Sequence, residues 1–174
     1  MIRLFNLILV CIAFMLIAGC SQESAAVKTT PDFRNINWGM GVDEVKAAEG
    51  LPVLEEGPRP DKDNQYYLRY ADVEFLGRKA VLRYFFHDDE CWQGAYIFYN
   101  TDEAEYKQIL EDYIAIKGPS ESFQSYENYE ISTWDSNKMF VFLSFHMNSE
   151  SGSTATMIRF ESIAYLPPEA VGLW

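Results

Sequence analysis

Basic residues are scarce in this chain. Lys and Arg number 14 against 26 Asp and Glu, a net charge of −12 at pH 7. Setting aside residues 1–19 removes Arg3 and no acid, so 13 bases then face 26 acids and the balance falls to −13. A protein that grips a nucleic-acid backbone needs a basic face, so that class is excluded. Attachment to anionic lipid through charge is disfavoured for the same reason. Histidine is nearly absent: His87 and His146 are the two in the sequence. No HExxH, GxSxG, phosphate-binding loop or GxGxxG pattern occurs, so no catalytic residue, metal or cofactor is assigned. The chain is read as no enzyme. Aromatics, at 16%, are abundant, which is the composition of a chain with a core to fill rather than a disordered one.

One long apolar run stands at the N-terminus. Arg3 is followed by a run over 4–17 that is apolar but for Asn6. That is shorter than the roughly 20 residues a spanning helix needs, and matches the apolar region of a signal peptide. The run ends in Ile17-Ala18-Gly19-Cys20. Aliphatic, small, small, cysteine resembles the lipobox of bacterial lipoproteins. The resemblance implies a signal peptide over 1–19 and cleavage between Gly19 and Cys20. It further implies acyl chains, palmitate among them, on the Cys20 thiol and amine. Two or three chains anchor stably where one does not. Ser21 follows, not Asp, which in that family implies the periplasmic face of the outer membrane. Residues 20–31 are small and polar and read as a lipidated, flexible tether. With Cys11 removed and Cys20 acylated, Cys91 has no disulfide partner, and it reads as a small buried hydrophobe.

The folded part is expected over 32–174. A short helix is predicted at 42–49, with Asp43 and Glu44 in its first turn and Gly50-Leu51-Pro52 at its end. Residues 55–64 read as a polar loop. Strands are predicted over 66–70, 73–76, 79–86 and 92–99 from their aromatic and β-branched content. Thr101 is the expected N-cap of a second helix, whose stripe is Tyr106, Ile109, Leu110, Tyr113 and Ile114. Gly118-Pro119 stops it. Further strands are predicted at 129–134, 138–147 and 154–165. The expected fold class is α+β, in tandem α-βββ units with antiparallel sheet or sheets, each packed by one helix. The halves would be about 32–100 and 101–174, sharing one sheet or lying side by side.

The stretch Trp38-Gly39-Met40-Gly41-Val42-Asp43-Glu44-Val45-Lys46 resembles the helix start of the BamE/SmpA-like periplasmic lipoproteins. Tandem α/β units of this kind are also similar to the β-lactamase inhibitory protein group. Gly41 stands where the first group has a Ser or Thr N-cap. The resemblance implies a protein-binding task without catalysis. The expected binding surface is aromatic: Trp92, Tyr96 and Phe98 on one strand, Phe140 and Phe142 on another. The leading functional expectation is thus a lipid-anchored module that binds an envelope protein. The alternatives are a binder of a small apolar or sugar ligand in an aromatic cleft, and a metal-dependent hydrolase using His87, Asp88 or Glu90. The bland reading of 87–91 is a solvated hairpin tip.

Overall fold

The computed structural model describes residues 30–60, 62–126, 129–147 and 151–170. The signal peptide, Gly19, Cys20 and all but the end of the tether lie outside the described residues. The chain divides into two units, Met1–Thr30 and Pro31–Trp174. The second unit holds α1 (Val42–Glu49), β1 (Glu55–Pro58), β2 (Gln65–Phe75), β3 (Arg78–His87), β4 (Glu90–Tyr99), α2 (Glu103–Lys117), β5 (Ser122–Tyr126), β6 (Tyr129–Asp135), β7 (Met139–Met147) and β8 (Thr154–Ser162). All eight strands form one sheet in the order β1-β2-β3-β4-β8-β7-β6-β5. Every neighbouring pair is antiparallel.

The expected tandem α-βββ arrangement is therefore corrected. There is a single, mostly β unit: one continuous eight-stranded antiparallel sheet with two short helices on it. Two strands escaped the sequence reading. β1 (EEGP) and β5 (SFQSY) are the sheet's edges and almost wholly exposed. An edge strand with neither face buried has no reason to alternate apolar and polar residues, so it reads as loop. The segments 66–70 and 73–76 are one strand, β2, whose register slips between Tyr70 and Val73. Asp72 sits in the left-handed region at that bulge.

Both helices lie on the same side of the sheet. Val45 of α1 and Tyr106, Ile109 and Tyr113 of α2 share one core with Leu68, Leu82, Tyr84, Tyr96, Leu143, Ile158 and Phe160. Alternation along each strand puts the in-between residues on the other face. Phe33, from the segment before α1, sits at the centre of this core. Its ring meets Trp38, Tyr84 and Tyr96 at 5.7 Å and Phe160 at 4.7 Å between centroids. Gly94 makes room for it: a Cβ there would lie 2.6 Å from Phe33 Cδ1. That close approach is why β4 carries a glycine in mid-strand.

The two helices are capped by different means. α2 begins at Asp102, not Thr101. The Asp102 side chain accepts from the Glu105 N–H at 2.8 Å, and Glu105 accepts from the Asp102 N–H at 3.1 Å. The Thr101 hydroxyl is buried against Thr156 at 2.8 Å instead. α1 begins at Gly41, which has no side chain to cap with. Asp89, from the β3–β4 turn, supplies the missing acceptor and takes the Val42 N–H at 2.9 Å. A residue 47 positions away thus ties α1 to the sheet. Asp89→Ala is expected to cost about 1 kcal/mol, the usual worth of an N-cap. Urea unfolding checks this, and a loss below about 0.3 kcal/mol would contradict the capping role.

Candidate binding face

Neither α1 nor α2 packs on the other face of the sheet. Strand register places a row of directly opposed residues across it: Glu55, Arg69, Arg83, Ala95, Arg159, Phe142, Thr133 and Ser122. A parallel row holds Tyr67, Phe85, Gln93, Glu161 and Phe140. A third holds Val81, Ile97, Met157, Ser144 and Ile131. The centre of this face is buried, at Gln93, Ala95, Ile97, Phe142, Ser144 and Glu161. Arg159 lies 4.7 Å over the Phe142 ring, and Arg59 lies 5.1 Å over Phe85. Tyr99, at one end, is 48% exposed.

One buried carboxyl and one half-buried imidazole lie on the face. Glu161 accepts from Gln93 Nε2 at 2.6 Å and pairs with Arg159 Nε at 2.8 Å. Burial raises its carboxyl pKa, and Arg159 and Gln93 only partly oppose that. A carboxyl raised on folding contributes stability at low pH and loses it as pH rises through its folded pKa. Glu161→Gln is therefore expected to raise Tm relative to the parent at about pH 7.5 and to leave it nearly unchanged at about pH 4. A Tm difference that is the same at both pH values would contradict this. His146 pairs with the Ser144 hydroxyl at 2.8 Å through Nε2. Burial, then the Arg159 charge, lowers its pKa, so it is neutral at pH 7.

The expected aromatic surface is only partly here. Tyr96 and Phe98 belong to the helix-side core and are 4% exposed. That is a correction: they point to the side where α2 packs. Trp92 is the extra residue of a bulge, since Phe86 pairs with Cys91 and Phe85 with Gln93. It is buried, outside the helix-side cluster. Phe140 and Phe142 do lie on the open face, their rings 6.3 Å apart. Phe142 is buried and Phe140 half-buried. The arginines were not singled out from the sequence. The one available signal was Arg83 between Val81 and Phe85 on the polar alternation of β3.

The turn over 87–91 has a structural task in Asp89. His87 lies at the end of β3 with Nδ1 3.6 Å from Asp88, and Asp88 and Glu90 are exposed. Among the described residues no group of three or more His, Cys, Asp or Glu converges as metal ligands would. Burial raises the Cys91 thiol pKa well above its ordinary value, so it is not a nucleophile at neutral pH.

On the helix side an aromatic cleft of about 260 Å³ opens. Arg34, Phe75, Tyr96, Tyr113, Ile116 and Phe160 contribute to its lining. Phe75 and Tyr96 stack face to face at 3.9 Å. The Tyr113 hydroxyl is buried with no hydrogen-bond partner, and Ile116 at the rim is 64% exposed. Compared with family models, curated proteins and solved structures, the chain shows no significant match. No helix among the described residues is long and apolar enough to cross a membrane.

Proposed function

We propose that this chain is a lipid-anchored, non-enzymatic protein-binding module of the bacterial cell envelope. The anchor is the acylated Cys20 of the lipobox, and the outer membrane facing the periplasm is its place. The docking surface is the open face of the sheet. The observation that carries this is the placement of both α-helices on one side, which leaves aromatic, arginine and aliphatic side chains of the inner strands on the other. Tyr and Arg are the residue types that dominate protein interfaces. A photo-crosslinker introduced at Val81, in intact cells, tests the reading. Recovery of a discrete crosslinked envelope protein supports it, and recovery of none counts against it.

The aromatic cleft favours a second reading, a binder of a small apolar ligand. Its unpartnered Tyr113 hydroxyl would bond an acceptor on such a ligand. Binding of 1-anilinonaphthalene-8-sulfonate that is lost in Ile116→Asp supports this reading, and no binding removes it.

A further inference from the structure

We propose that Arg83 is a carboxylate receptor and that the partner presents an acidic segment to it. The inference rests on the open face being the docking surface. Three arginines lie in one row, on β2, β3 and β8, with Ala95 of β4 between the last two, and Arg69 and Arg83 are directly opposed register partners. Like charges in that relation destabilise a sheet. Two of the three are answered within the chain. Glu55 accepts from Arg69 Nη1 at 2.9 Å and from the Tyr67 hydroxyl at 2.7 Å. Glu161 pairs with Arg159. Arg83 makes no close ion pair among the described residues: its charge helps to lower the Glu55 pKa, but that carboxylate is already held by Tyr67 and Arg69. Arg83 Nη2 donates to the Tyr99 hydroxyl at 3.5 Å, and its buried Nε, like that of Arg69, has no hydrogen-bond partner.

The surroundings suit a carboxylate. The Arg83 guanidinium lies 5.7 Å from the Phe85 ring centroid, and Tyr99 stands exposed beside it. A guanidinium held by rings keeps its planar fork for a bidentate acceptor. The net charge of −12 repels an acidic segment as it repels an anionic membrane, so recognition rests on the local contact with Arg83 and not on the overall field of the chain.

The test uses the full chain in detergent and a fluorescein-labelled hexa-aspartate peptide, with hexa-asparagine beside it. Hexa-aspartate is expected to bind, to weaken as salt rises from about 50 to about 500 mM, and to bind at least ~10-fold more weakly to Arg83→Glu. Hexa-asparagine is expected not to bind. Arg83→Gln removes the opposed charge, so its Tm is expected to be unchanged or up to ~3 °C higher. Equal affinity of hexa-aspartate for the parent and Arg83→Glu overturns the proposal. So do absence of binding, binding to phosphatidylglycerol vesicles in place of the peptide, and a fall in Tm above ~4 °C in Arg83→Gln, which would make Arg83 structural. In cells, loss of the Val81 crosslink in Arg83→Glu supports the proposal. A crosslink that persists in Arg83→Glu overturns it while leaving the docking reading standing. No crosslink in the parent overturns the docking reading and the proposal with it.

Discussion

Glu49→Ala is expected to destabilise the fold by about 3–5 kcal/mol, the cost of leaving one member of a buried charged pair alone. Glu49 is the last residue of α1 and is buried. Its carboxylate accepts from Arg34 Nε at 2.6 Å, from Asn35 Nδ2 at 3.4 Å and from the Tyr84 hydroxyl. Tyr84 is fully buried, and burial, then the Glu49 charge, pushes its phenol far above its ordinary pKa, so it remains a donor. Arg34 is held in a left-handed backbone conformation to reach the carboxylate. Removing the carboxylate orphans a buried hydroxyl and a guanidinium together. The Arg34 side chain retains 23% exposure, so water softens its part of the loss and the lower end of the range is expected. Glu49→Gln keeps an acceptor of the same length and is expected to lose about half as much. Guanidinium unfolding followed by tryptophan fluorescence checks both. A loss below about 1 kcal/mol in Glu49→Ala would show that the cluster does not hold α1 to the sheet.

The second large effect concerns the anchor. Cys20→Ala is expected to abolish labelling with radioactive palmitate and to move the protein from the membrane to the soluble fraction. Each buried methylene of an acyl chain contributes about 0.8 kcal/mol of membrane affinity, so losing two or three chains changes partitioning by many orders of magnitude. Charge cannot replace that affinity in a chain with 26 acids and 14 bases. Unchanged palmitate labelling in Cys20→Ala would refute the lipoprotein reading.

The elements with strong local patterns were legible. α2 was read from the spacing of Tyr106, Ile109 and Tyr113, which are its buried residues. β3 is legible from its aromatic and β-branched content, and its Ala80, Leu82, Tyr84 and Phe86 are buried while Val81, Arg83 and Phe85 between them are half-buried. Cys91 was read as a buried small residue and is one. What failed to show was whatever depended on a distant neighbour. β1 and β5 are strands because β2 and β6 pair with them, not because of their own composition. Asp89 looks like a turn acid until Val42 is placed beside it. Tyr96 and Phe98 could be set on one face of β4, but α2 decided that this face is the core.

The sequence by itself determined the chain's acidity, the apolar N-terminal run that precedes Cys20, both helices and the inner strands, because each is a property of neighbours within a few residues. The tertiary structure alone decided that the strands form one sheet, that both helices share one side, and that Arg69, Arg83 and Arg159 stand in a row. Period-two alternation says which residues share a strand face. It cannot say which strand lies beside which, and only that pairing brings like charges from three strands onto one surface.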